Sequence, residues 1–231
     1  MRGAVDVDRV LQDIRDAARR YPFIHKVVLF GSRARGDNTD DSDYDLAIYA
    51  DPGGDEAGFL DVIDEMPTLS KLDVVFIKLH HKGTPFYGNI LREGVVVLDK
   101  FQTKLDNFHK AVERLEEALQ ETETSESLTM RDGTIQRFEF TTELAWKTAR
   151  EYLLQQDVLD INSPKAVMRE AFHNHLITDE QGWVRILQDR NITSHLYDEK
   201  DADDVFYRIR HNHIQLFQAL EQILQERKAN L

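Results

Sequence analysis

Asp43 and Asp45 stand two residues apart at the mouth of an apolar run, Leu46-Ala47-Ile48-Tyr49. On an extended strand, residues two apart point to the same face, so their carboxylates would lie side by side. Two bare carboxylates at that separation repel, and one stays protonated unless a cation lies between them. Mg²⁺ is the economical counter-ion, because it takes carboxylate, water and phosphate oxygens. A second apolar run, Val27-Val28-Leu29-Phe30, feeds Gly31-Ser32-Arg33-Ala34-Arg35-Gly36 just upstream. Gly31 lets backbone approach a ligand closely, and N–H groups at a strand-to-helix turn suit a phosphate. These residues together predict a site for a metal-bound nucleoside triphosphate. Asp37, Asp40 and Asp41 read as solvated loop acids.

A second group lies far downstream, in Asp189-Arg190-Asn191-Ile192-Thr193-Ser194-His195-Leu196-Tyr197. Arginine binds phosphate in bidentate fashion, and histidine works as an acid or base near neutral pH. On a regular helix Asn191 and His195 share a face, as do Arg190 and Tyr197, whereas Arg190 and His195 are about 140° apart. A site combining Arg190 and His195 therefore needs a helix distortion or a second copy across a dimer interface. Structural contacts of Arg190 and His195 with Asp189, Asp198 or Glu199 are the competing reading. The pairs His80-His81, His173-x-His175 and His211-x-His213 read as surface or packing residues. Phe138, Phe140 and Trp146 read as core, not as base-stacking platforms.

The elements that must position these groups change character near residue 100. Before it, an amphipathic helix over 7–20 ends at Tyr21-Pro22. Strands follow at 26–30 and about 44–50, a turn at Asp51-Pro52-Gly53-Gly54, and a helix over 55–66. A third strand, Lys71 to Ile77, carries Asp73 near its start. A short helix over 84–93 and a short strand over 95–98 complete this part. Beyond it, Phe101, Leu105, Phe108, Val112, Leu115 and Leu119 form a narrow helical stripe. Residues 120–127 read as a loop and 128–156 as a long helix. Ser163-Pro164 opens another helix to about 175, and further helices cover about 180–196 and 201–228. The expectation is an α+β domain with a mixed sheet over 1–99, then an all-α bundle over 100–231.

Composition narrows the partners. The chain has 231 residues, 41% hydrophobic and 31% charged, with net charge −13. The first hundred residues carry 13 basic and 18 acidic side chains, the rest 16 and 24. Nonspecific duplex binders are basic, so any nucleic-acid contact must come from a local cluster. There is no cysteine, hence no disulfide or thiolate metal site. No apolar run reaches the ~20 residues that span a bilayer, and the N-terminus lacks a signal-peptide core. The expectation is a cytoplasmic protein with no membrane association.

The Gly31-Ser32 pair followed by Asp43-x-Asp45 between two strand-like runs resembles the DNA polymerase β nucleotidyltransferase superfamily, most closely its minimal members, over about residues 7–99. The resemblance implies that Asp43, Asp45 and Asp73 bind two Mg²⁺ ions. It implies ATP as the donor, with a hydroxyl attacking the α-phosphate and pyrophosphate leaving. Gly31 and Ser32 would hold phosphate oxygens, with Arg33 or Arg35 as triphosphate partners, and Asp73 would help take the proton. Arg190-Asn191-x-x-x-His195, with Arg137 to Lys147 and Ser163-Pro164-Lys165, resembles HEPN domains of the nucleotidyltransferase substrate-binding-protein branch, over about 101–228. That resemblance implies a homodimer through the helical half and an RNA substrate for Arg190 and His195. It also implies Tyr197 as a tyrosine that the nucleotidyltransferase adenylylates. Two alternatives stay open: transfer to a small hydroxyl compound held by the helical half, and a nucleotide-binding module without transfer activity.

Overall fold

The computed structural model describes residues 8–39, 41–123, 127–156, 158, 161–193 and 198–228. By its internal contacts the chain divides into two units, the break falling after Lys100.

The first unit runs α1 (Arg9–Arg20), β1 (Ile24–Phe30), α2 (Gly31–Arg35), β2 (Tyr44–Ala50), α3 (Glu56–Asp64), β3 (Leu72–Phe76), a 3₁₀ turn Leu79–His81, α4 (Pro85–Glu93) and β4 (Val95–Asp99). The strands form one sheet in the order β3-β2-β1-β4. β1 is antiparallel to β2 and β4, while β2 and β3 are parallel. The sheet is therefore mixed, as the sequence led one to expect.

Alternation along the strands builds two cores. Val27, Leu29, Leu46 and Ile48 bury against Ile14 and Ala17 of α1 and Phe59 and Ile63 of α3. Val28 and Ala47 point to the other face, with Ile77, Phe30, Val75 and Ile90 of α4. Asp45 and Asp73 fall in the same alternation as Ala47 and Val75, so all three acids belong to the α4 side of the sheet. Asp8 caps α1 through Val10 N–H at 3.0 Å and accepts the Tyr44 hydroxyl at 2.7 Å. That bond fixes the start of β2, immediately after Asp43.

The second unit contains α5 (Lys100–Glu121), α6 (Leu128–Gln155), α7 (Pro164–His173), α8 (Glu180–Thr193), α9 (Glu199–Arg208), a π-helical turn Ile209–His213 and α10 (Ile214–Lys228). The α5 stripe is buried as its spacing predicts, facing Phe138, Tyr152, Trp183 and Phe217. Buried threonines of α6 are satisfied locally: Thr134, Thr142 and Thr148 donate to the carbonyls of Met130, Phe138 and Leu144 at 2.7–2.9 Å. Ser163 caps α7 and Pro164 occupies its first position, as expected. The continuous helix expected over 201–228 is instead interrupted by the π turn. Phe140 is a further correction: it is 57% exposed, and so is not a core residue.

Candidate functional site

The first site is built by register. Across the parallel β2–β3 pair Asp45 lies opposite Asp73, and across the antiparallel pair it lies opposite Phe30. The residue after Phe30 is Gly31, at φ +74°, where a Cβ would stand 2.0 Å from Asp45 Oδ2. Glycine is thus required twice, for its dihedral and for the space Asp45 occupies. Burial, then the charges of Asp73 and Asp43, raise the Asp45 carboxyl above its ordinary value, with Lys71 and Arg35 opposing. The three acids therefore share one electrostatic field. Lys71, two residues before Asp73 on β3, grips both its carboxylate oxygens at 2.6 and 2.8 Å.

The arginines divide their roles. Arg33 Nε donates to the Ser42 carbonyl at 2.9 Å, and its guanidinium stacks over the Tyr44 ring at 4.0 Å. It braces the connection between α2 and β2. Arg35 pairs with Asp37 and Glu93, both at 3.2 Å, at the exposed end of α2. Gly36, in the left-handed region, closes α2 by donating to the Ser32 carbonyl at 2.9 Å.

A donor set of hard carboxylate oxygens fits Mg²⁺ chemically. Among the described residues, however, no group of three or more acids or histidines is already gathered closely enough to hold a metal ion. Asp73 is turned toward Lys71, whose ammonium meets both its carboxylate oxygens.

The second site rests on α8. Arg190 pairs with Glu143 of α6 at 2.9 Å, and Thr193 donates to Glu139 and to the Arg190 carbonyl. Arg190 and Glu143 share a cleft of 330 Å³ with Trp146, Lys165 and Asn191. His195 and Tyr197 lie outside the described residues. Asp189 does not contact Arg190 through its carboxylate. It is fully buried, takes Arg208 in bidentate fashion at 2.7 and 3.0 Å, and bonds His213 Nε2 at 2.8 Å. Burial pushes the Asp189 carboxyl up, but the bonds from His213 and Arg208 outweigh it and hold it below its ordinary value. His213 stacks on Phe138 at 5.4 Å, a packing role as expected. Its pairing with Asp189, 24 residues away, carries no sequence signal.

A mixed sheet with acids at adjoining strand ends, followed by an all-α unit, defines the class in which a nucleotidyltransferase domain is joined to a helical substrate-binding domain. Residues 12–103 match polymerase beta, nucleotidyltransferase, and residues 103–226, more than half of the chain, match nucleotidyltransferase substrate binding protein like. The chain belongs to the nucleotidyltransferase substrate-binding-protein-like family and carries a polymerase β-type nucleotidyltransferase domain ahead of that region. A probable ribonuclease HepT of Haemophilus influenzae is 39% identical over 98 residues, covering 40% of this chain and 66% of that protein's length. A Haemophilus influenzae structure described as the substrate binding domain of a nucleotidyltransferase is 30% identical, with TM-score 0.48 over 52% of this chain and 98% of its own. A tri-AMPylated HEPN toxin of Shewanella oneidensis, in complex with its MNT antitoxin, is 19% identical, with TM-score 0.47 over 55% of this chain and 96% of its own.

Proposed function

We propose that this chain transfers AMP from ATP, with Mg²⁺, to a hydroxyl, and that the hydroxyl is a protein tyrosine, Tyr197 or its equivalent, in a one-chain toxin–antitoxin arrangement. The observation that carries this reading is Asp45 in register with Asp73, two residues after Asp43 and seated on Gly31. Two divalent ions on Asp43, Asp45 and Asp73 would supply charge neutralisation for the α-phosphate and the departing pyrophosphate. The acceptor oxygen bonds to the α-phosphorus as the bond to the pyrophosphate oxygen breaks, and Asp73 receives the acceptor's proton. Gly31 abuts Asp45, and Gly31 and Ser32 would be the phosphate contacts. Arg33 or Arg35 would contact the triphosphate, the first now held by the Ser42 carbonyl and the second by Asp37 and Glu93.

In this reading the helical unit is a dimeric ribonuclease, with Arg190 stabilising the phosphate and His195 moving the ribose 2′-OH proton. Its identity to a probable ribonuclease supports that assignment. Labelled ATP with Mg²⁺ should label the chain itself, and Asp43→Ala and Tyr197→Phe should each abolish the label. Transfer to an added small hydroxyl compound without self-labelling would assign the 330 Å³ cleft at Arg190 as an acceptor pocket instead. No binding of ATP–Mg²⁺ would overturn both readings. RNA cleaved by Asp43→Ala protein but spared when His195→Ala is added would support the ribonuclease part; equal cleavage would sink it.

A further inference from the structure

The overall charge is −13, yet one groove of the helical unit is positive. Between α5 and α6 lies a cavity of 1010 Å³ lined by Lys110, Arg114, Arg137 and Lys147, with Glu143 the single acid among its lining residues. Glu143 is engaged by Arg190 at 2.9 Å and by Lys147 at 3.1 Å. Lys110, Arg114 and Arg137 have no ion-pair partner among the described residues. Phe140, 57% exposed, lies in the same lining. On α6, Arg137, Phe140 and Lys147 recur at helical spacing on one face, and on α5 Lys110 and Arg114 do the same. These three cations flank an exposed phenyl ring without serving a local ion pair among the described residues. Leaving Phe140 in water forgoes the favourable burial of an apolar ring, which is recovered only when something covers it.

We propose that this groove is a docking site for single-stranded nucleic acid, in which Lys110, Arg114 and Arg137 take successive backbone phosphates and a base stacks on Phe140. Cations along both walls of a groove with an aromatic face between them suit a strand whose bases are splayed out, and not a duplex, whose bases are stacked away from any side chain. An acidic protein segment would satisfy the charges, but a strand offers a phosphate and a base at every step, which is what cations flanking an aromatic face repeat. Glu143 borders both this groove and the Arg190 cleft, so a strand lying in the groove is led toward Arg190. The inference deepens the reading of the helical unit given above and rests on it for the choice of RNA as probe.

The test is fluorescence anisotropy of a labelled 2′-O-methyl RNA 12-mer, which lacks the nucleophilic hydroxyl and so stays intact, on the full chain and its variants. Affinity should fall with salt, the logarithmic slope losing about 0.7 for each phosphate contact removed. Arg114→Glu and Arg137→Glu should each weaken binding about tenfold and flatten the slope. Phe140→Ala should weaken it between about fivefold and a hundredfold and leave the slope unchanged. The same sequence as a duplex should bind more weakly. Unchanged affinity in all three variants overturns the proposal. So does equal binding of an oligoglutamate peptide, or variants that alter only the oligomeric state seen by sedimentation. Self-labelling by ATP in these variants reads the first site separately, so loss of RNA binding with labelling retained distinguishes the groove from the transferase reading.

Discussion

Gly31 joins the backbone of the first site to its chemistry. Its φ of +74° lies in the left-handed region, and the missing Cβ leaves room for Asp45 Oδ2. A methyl group there would meet a carboxylate held by β2, so either the Gly31 peptide or the Asp45 side chain must move. Gly31→Ala should therefore cost about 1–3 kcal/mol of stability in a urea titration. It should also reduce transfer more than that loss accounts for, since a displacement of about 1 Å at a reacting group costs about 10²-fold. Wild-type turnover in a destabilised variant would show that Asp45 is not positioned by this contact. Arg33 has a role that residue type alone does not announce: its guanidinium reaches the Ser42 carbonyl and the Tyr44 ring. Both partners sit nine residues or more along the chain, and the register of a loop is not encoded in periodicity.

At the scale of elements, the strands around the first site were legible as short apolar runs, and the faces they bury follow from reading each run at its period. The same reasoning, applied to α6, would have placed Phe140 correctly: two residues from buried Phe138 on a helix is a rotation of about 200°, onto the opposite face. The π turn at Ile209–His213 was not legible, since buried Val205, Ile209, His213, Phe217 and Leu220 keep spacings of three and four straight through it. That turn brings His213 to Asp189, and Arg208 just before it completes the bond network. Because the Asp189 carboxyl is held below its ordinary value, its contribution to stability is present above the unfolded value of about 3.9 and is lost as pH falls through the lowered native value. Asp189→Asn should cost about 3–5 kcal/mol at neutral pH by leaving the Arg208 guanidinium uncompensated and disturbing the bond to His213, and should remove the acid limb of the stability–pH curve. An Asn variant that keeps that limb in urea titrations carried down to about pH 2 would assign it to other carboxylates.

For the whole molecule, each unit has a core made of its own residues: Ile14 to Leu98 in the first, Phe101 to Leu224 in the second. Calorimetry should then resolve two transitions that respond to different perturbations. Burial, then the charges of Asp73 and Asp43, raise Asp45, so the native state holds a proton more tightly than the unfolded chain. That group's contribution is therefore unfavourable at neutral pH and is relieved as pH falls through the raised value. Asp45→Asn should stabilise the first unit by ~0.2–1 kcal/mol at neutral pH while abolishing transfer, the exchange of stability for function expected where charges are gathered for a ligand. Saturating ATP–Mg²⁺, at about a hundred times its dissociation constant, should add ~2.7 kcal/mol to the same transition in the wild type and nothing in the variant. Asp189→Asn should lower only the other transition. If ATP–Mg²⁺ moved the transition that Asp189→Asn lowers and not the one that Asp45→Asn raises, the nucleotide would belong to the helical unit, and Asp43, Asp45 and Asp73 would not be its site.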